Sequence, residues 1–376
     1  KYLENRKLSS NPLVAELQRA LSRDRVLEDE VDRITHSTDE SIFEGGTAGP
    51  VCFPISTEEV QSIMRIAQKF EHPVIPRGAG SGLAGGAVPL GAPIVVAMTE
   101  MKEIQEVDLD NRIAWVEPGV INLELTDYLR PMGFHYAPDP SSQQICTIGG
   151  NVANNSGGPH CLADGVTDSH VLAIEVVLPD GEVCQFGGID AEPTGLDLRG
   201  AFIGSEGTLG IATKIAVRLT PNPQDVQAIL ISFPTMRKAA ETVSAVIAAG
   251  IVPAAMEAMD QRTIEVIENH IPSGYPTDVG AVLLIEVEGL PDGVEIETLR
   301  ICEVAENHEA LEIRIAQSSW QREALWKGRK GAFGASTYLA PNYYLHDTVV
   351  PRSELANVLD KVNQLAAEND LMLMNV

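Results

Sequence analysis

Aromatic residues make up only 5% of the 376-residue chain, and 27 basic residues face 53 acidic ones. The five cysteines form no C-x-x-C and no His/Cys metal-ligand spacing. Each shortage excludes something. At a formal net charge of −26 the chain repels phosphate at long range, which excludes nonspecific binding to nucleic acid or anionic lipid. Any anionic ligand must therefore be held by local positive groups. Cys52, Cys146, Cys161, Cys184 and Cys302 read as buried reduced thiols, which implies a reducing, cytoplasmic setting. No apolar run approaches the roughly 18 to 20 residues of a membrane helix, so no integral membrane segment is expected and any membrane association is peripheral. Core material is ample, with 44% apolar and 21% charged residues, enough for two domains at this length. The chain starts at Lys1 and stops in the apolar, strand-like "LMLMNV", which implies residues missing at both ends.

Ser56 and Glu59 have capping-box spacing, and Val60, Ile63, Met64, Ala67 and Phe70 recur at helical intervals, predicting a helix over 57–70. Short β-rich runs follow at 93–98 and 113–117, then a helical "NLELTDYL" at 122–129. "LAIEVVLPDGEVCQF" (172–186) reads as a hairpin around Pro179-Asp180-Gly181. Texture shifts near "RLTPNPQD": beyond Pro221 to Pro223 the pattern becomes helix, strand, helix, strand, an α+β or α/β layer with helices covering one sheet.

"IPRGAGSGLAGGAVP" (75–89) holds five glycines, and Gly80, Gly82 and Gly85 spell G-x-G-x-x-G. A Rossmann turn needs a helix starting on the last glycine. Pro89, Gly91 and Pro93 forbid it. Two readings remain for this stretch alone: a plain glycine-rich surface turn, or a nest of backbone N–H groups around an anion with Arg77 adding charge. Two further segments, "APDPSSQQICTIGGNVANNSGGPH" (137–160) and "GAFIGSEGTLGI" (200–211), favour one extended polyphosphate or heteroaromatic ligand approached closely by main chain.

In this order and spacing, "PRGAGSGLAGGAVP", "PDPSSQQICTIGGNVANNSGGPH", "GVTDSHVLAIEVVLPDG" and "FIGSEGTLGI" resemble the FAD-binding domain of the vanillyl-alcohol-oxidase/PCMH superfamily, and within it the glycolate oxidase FAD-subunit and D-lactate dehydrogenase-like group. The resemblance implies an α+β protein: an N-terminal helical segment (1–47), a two-lobed PCMH-type FAD-binding domain (48–222), and an α+β substrate-cap domain of the FAD-linked oxidase C-terminal type (223–376), incomplete at its end. It assigns Pro76, Arg77, Gly78, Ala79, Gly80, Ser81, Gly82 and Gly85 to the FAD pyrophosphate. Pro138, Thr147, Gly149, Gly150, Asn151, Ala153 and Gly157 would line the dinucleotide toward the isoalloxazine, with Gly165 and Thr167 as a third contact. Glu206, Gly207, Gly210 and Ile211 would hold the adenine and ribose side. Some superfamily members bond flavin to a histidine in the first glycine loop. Here that loop reads Gly80-Ser81-Gly82, so the expectation is noncovalent FAD. Ala163-Asp164 stands where the group more often has Lys-Tyr.

In the cap, "LWKGRKGAF" and "YYLHDTVVPR" also match the group. Arg329 is the expected catalytic carboxylate clamp, because a guanidinium meets a carboxylate in bidentate geometry; the plain alternative is a solvated surface arginine. Lys330 is a weaker candidate. His346 and Asp347 read equally well as flavin neighbours or as structural residues. The group's catalytic histidines and, in some members, a divalent metal belong to a His/Gly/Asp-rich segment that would follow Val376, so neither base nor metal ligand is named within the chain. His135 and His160 fall in the FAD half, while His270 and His308 look like solvated helix ends. The implied reaction is oxidation of a small 2-hydroxy acid, of glycolate or D-lactate type, by hydride transfer to flavin N5. Electrons then pass to an iron–sulfur subunit, quinone, cytochrome c or electron-transfer flavoprotein, and a homodimer is one expected assembly. The competing readings are a flavin-holding subunit inactive without partner chains, and a colourless NAD-dependent dehydrogenase.

Overall fold

The computed structural model describes residues 9–43, 45–189 and 195–376. Chain contacts divide it into one unit of Lys1–Gly158 with Gly165–Asn222, and a second of Pro159–Asp164 with Pro223–Val376.

The first unit opens on α1 (Pro12–Leu21), started by Pro12 and capped by the Asn11 side chain, which accepts the Leu13 N–H. β1 (Val26–Leu27) and α2 (Glu30–Thr35) follow. Residues 1–47 are thus not helical throughout, and the first eight lie outside the described residues. β1 joins β2 (Val51–Cys52), β3 (Val74–Arg77) and β4 (Ile94–Ala97) in a sheet ordered β1-β2-β4-β3, parallel except at the β1 edge. α3 (Thr57–Lys69) buries Val60, Ile63, Met64, Ile66 and Ala67 against α1 and this sheet. Only half of the expected capping box forms. Ser56 accepts the Glu59 N–H, but the Glu59 carboxylate turns to Ile55 N–H and to Arg25.

The second lobe of this unit is an antiparallel sheet of β5 (Ile104–Asp108), β6 (Ile113–Val116), β8 (Val171–Val177), β9 (Val183–Gly187) and β10 (Ile211–Arg218), ordered β5-β6-β10-β8-β9. Before β8, β7 (Phe134–His135) pairs with the later β11 (Thr220–Pro221). The expected hairpin is β8–β9, its turn closed at Gly181 with φ +80°. α4 (Asn122–Leu129), α5 (Ile148–Asn154) and α7 (Leu198–Phe202) flank the sheet, and Leu125, Leu129, Ile148, Val152 and Phe202 enter its core. Between α5 and β8 the chain leaves this unit for α6 (Cys161–Asp164) and returns at Gly165.

In the second unit β12 (Asp225–Phe233), β13 (Ala255–Asp260), β14 (Ala281–Gly289) and β15 (Glu312–Ile315) form an antiparallel sheet ordered β13-β14-β12-β15. Its central strands are buried on both faces, so they read as mostly apolar runs, interrupted by Ser232 in β12 and Glu286 in β14. One face packs against α8 (Met236–Ala248) and α10 (Pro291–Glu306), the other against α9 (Gln261–His270), α11 (Ser319–Lys330) and α12 (Ala332–Ser336). α13 (Leu355–Glu368) lies against α8, tied by Arg237 to Asp360. The terminal "LMLMNV", expected to be strand-like, forms no strand. Asn375 instead bonds Asp260 through its backbone N–H (2.8 Å) and its side-chain amide (2.9 Å).

Candidate functional sites

The three glycine-rich segments meet in the first unit. β3 ends on Arg77, 9% exposed, whose guanidinium lies against Gly80, and Gly80 holds φ +77°. A Cβ on Gly78 would stand 2.5 Å from Thr147 Oγ1, which also accepts the Gly150 N–H at 3.2 Å to cap α5. A Cβ on Gly86 would stand 2.8 Å from Glu206 Oε2, and one on Gly207 would overlap the Pro76 ring. The segment around 75–86 therefore touches both of the others. These glycines are where they are because chain meets chain without room for a methyl group.

Hydrogen bonds tie the rest together. Asn122, 1% exposed, donates from its amide to Pro138 O (2.8 Å) and to Asn151 Oδ1 (3.0 Å). Glu206 N–H reaches Ala153 O and Gly204 N–H reaches Val152 O, both at 2.9 Å. Thr167 Oγ1 donates to Ser156 O (2.7 Å), and Asp168 N–H to Asn155 Oδ1 (3.0 Å). Asn155 and Glu206 are non-glycine residues at φ +50° and +52°, and Gly204 and Gly207 are left-handed at +80° and +75°. Such conformations persist only where the surroundings over-determine them.

Not every expected ligand residue faces open space. Gly82 does, with nothing within 4 Å of an added Cβ, and Ala79 is exposed beside it with half-buried Ser81. Gly85 packs on the Phe43 ring, Gly149 on Pro118, Gly165 on Ser169 and Gly210 on Val176 and Val177. Ile211 is 3% exposed within the core around α3, and half-buried Gly157 leads into the excursion to α6. These positions shape the cradle by packing. Two polar groups bear on what the cradle can hold. Ser205 Oγ is buried without a hydrogen-bond partner. Burial pushes the Arg77 guanidinium below its ordinary range, opposed by Asp39, and its one described hydrogen bond is a long 3.4 Å to Ala87 O. A desolvated cation and an orphaned hydroxyl beside left-handed backbone suit an anionic, polar-edged ligand.

The second site is made of side chains. On β13–β14, Ala255 lies opposite Glu286 and Glu257 opposite Leu284, so both glutamates share the sheet face that α11 covers. Glu257 accepts from Arg329 Nε (2.8 Å) and Nη2 (2.6 Å), both on Oε2. Arg329 is 9% exposed and is not a surface residue; its Nη1 is buried without a partner. Leaving such a group unmet costs about 1–3 kcal/mol or more. Glu286, 7% exposed, accepts from the Trp326 indole N–H and faces His160 Nε2 at 3.0 Å. The His160 and Trp326 ring centroids are 5.7 Å apart. Trp326 and Arg329 stand three residues apart on α11, hence on one face. Gly328 lets that helix approach, because its Cβ would fall 2.5 Å from Ser273 Oγ. Lys330 is half-buried; His346 and Asp347 are exposed, His346 with its ring 4.5 Å from that of Tyr344. Among the described residues no cluster of three or more His, Cys, Asp or Glu is placed to hold a metal ion, and no helix is long and apolar enough to cross a membrane.

The backbone cradle and the second unit's sheet covered by helices on both faces define the class: residues 49–187 match the FAD binding domain, and residues 222–376 match the C-terminal domain of FAD linked oxidases. FAD is accordingly the cofactor of the first unit. The chain is 40% identical over 326 residues to glycolate oxidase subunit GlcD of Escherichia coli K12, covering 87% of this chain and 65% of that protein. It is 39% identical to GlcD of Bacillus subtilis (91% and 73% covered) and 32% identical to D-lactate dehydrogenase of Anaerostipes hadrus (84% and 68%). The chain thus spans about two thirds of the length of these relatives, and it belongs to the family of FAD-linked oxidoreductases that contains them. Solved structures share the fold: alkyldihydroxyacetonephosphate synthase (TM-score 0.81, 21% identity, 96% and 76% covered) and p-cresol methylhydroxylase (TM-score 0.72, 18% identity, 85% and 69% covered).

Proposed function

We propose that this chain holds FAD noncovalently and oxidises a small 2-hydroxy acid, glycolate or D-lactate, to the 2-oxo acid. The carrying observation is the buried, unfilled Nη1 of Arg329 in the FAD-linked oxidase domain, a cationic donor that a substrate carboxylate would satisfy. The names of the relatives, glycolate oxidase subunit and D-lactate dehydrogenase, support the substrate class.

In this reading Arg77 and the Gly78–Ser81 turn hold the pyrophosphate, with Gly82 leaving the approach open. Thr147, Gly150 and Asn151 line the dinucleotide with Pro138, and Ser205 and Glu206 meet its polar edge. Noncovalent binding follows from Gly80-Ser81-Gly82, which offers no histidine to bond the flavin. When bound, FAD supplies the two-electron acceptor that no side chain can provide. Arg329 holds the acid by its carboxylate, so that its C2–H and hydroxyl are presented in one orientation. We place the reaction in the cytoplasm and assign the onward electrons to a partner protein, in keeping with the word "subunit" in the relatives' names.

The test is the visible spectrum of the full-length protein under anaerobic addition of glycolate, D-lactate and L-lactate. A yellow protein bleached by one of the acids supports the reading. A yellow protein that no acid bleaches points to a flavin-holding subunit that needs its partners, and a colourless protein that binds NADH overturns both.

A further inference from the structure

We propose that Glu257 is a positioning residue: by engaging the side edge of the Arg329 guanidinium, it sets the end edge as the seat of the substrate carboxylate. This rests on the reading of Arg329 as that carboxylate's partner.

A guanidinium carries five N–H donors in one rigid plane. Glu257 takes two of them, Nε–H and one Nη2–H, both on a single oxygen at 2.8 and 2.6 Å. Of the three left over, the second Nη2–H and one Nη1–H lie together along the end edge, the other Nη1–H points back past Cδ, and Nη1 is buried with no partner. Because the group is planar, holding one edge aims the other. A free arginine side chain would sample many rotamers, and its end edge would have no preferred direction. This pair is not a loose surface contact, since the Arg329 side chain is 10% exposed and that of Glu257 16%. Its anchor is stiff. Glu257 projects from a strand paired residue by residue with β14, on the face where Glu286 takes the Trp326 indole, so the sheet grips α11 at two points three residues apart. Competition between Glu257 and substrate for the same donors is the opposing possibility. The geometry disfavours it, since the two carboxylates would use different edges.

The experiment uses the full-length, flavin-loaded protein and whichever hydroxy acid bleaches it. Positioning predicts that Glu257→Gln raises KM about 10-fold or more while kcat changes less than about 3-fold. Flavin content should stay unchanged, and the Kd of the 2-oxo acid, read from the perturbed flavin band, should rise in parallel. Because loss of a buried partner can prevent folding, Glu257→Asp is the second variant. It keeps the charge but withdraws it by one methylene, and an intermediate KM rise of about 3- to 10-fold is expected. A KM for both variants at or below wild type overturns the proposal, the lower value signalling competition. Arg329→Lys separates positioning by Glu257 from the carboxylate clamp itself. If it raises KM while the Glu257 variants do not, positioning falls and the clamp stands; if it too leaves KM unchanged, both fall.

Discussion

The two units build their sites from different material. In the first, the site is backbone: left-handed glycines, carbonyls bonded within the loops, and side chains such as Thr147 and Asn122 that face inward to hold the main chain. In the second, the site is side chain: two glutamates on one sheet face and an arginine and a tryptophan from one helix. A backbone site fails when a Cβ is added, whereas a side-chain site fails when a charge is removed. The first kind of failure should cost the cofactor and the second should cost kcat/KM for the substrate.

The largest effect expected is Gly80→Val. The residue holds φ +77° and its Cβ would strike Arg77, so protein with a wild-type circular dichroism spectrum should retain less than about a tenth of its flavin. Next is Arg329→Met, which keeps length and loses charge. kcat/KM should fall about 100-fold or more with flavin content unchanged. Smaller again is Trp326→Phe, which removes a donor from buried Glu286; urea denaturation should show a loss of about 1–3 kcal/mol with flavin retained.

The smallest effect concerns the core behind the cradle, where burial pushes the Cys52 thiol up to about 12 from 9.0. At pH 8 only about one part in ten thousand is thiolate, so Cys52 should resist alkylation in the folded protein and label after denaturation. The linkage has the matching sign. The folded-state value lies above the unfolded one, so this contribution to stability is complete below pH 9 and is lost as pH rises through 9 toward 12. Alkylation of native Cys52 at pH 8 would show that the first unit opens more readily than its packing implies.

The same contrast explains what the sequence disclosed. Glycines clustered at Gly78–Gly86, Gly149–Gly158 and Gly204–Gly210 are visible in one dimension because a close approach of backbone demands that residue type wherever it occurs. Strand and helix patterns of 57–70, 122–129 and 172–186 are visible for the same local reason. Glu257 and Glu286 do not show themselves in this way because their meaning is non-local. Each lies in an apolar strand at the parity of its core neighbours, Glu257 with Ala255 and Met259, Glu286 with Val282 and Leu284. A carboxylate at core parity was the available signal, yet nothing local names Arg329 or Trp326 as its partner. The departure of Pro159–Asp164 to the second unit is invisible for a related reason, since its partners there lie far along the chain, such as Glu286, 126 residues away from His160. Ser56 and Glu59 show the limit of motif reading: the spacing is right, but Arg25, far along the chain, draws the Glu59 carboxylate away from Ser56.

The most direct test of this division is the flavin absorbance of Gly80→Val and Arg329→Met, purified side by side with the wild type. Gly80→Val should be colourless, and Arg329→Met fully yellow but bleached about 100-fold or more slowly by the hydroxy acid. A yellow Gly80→Val at wild-type flavin content, or an Arg329→Met that loses its flavin while still folded, would contradict that division.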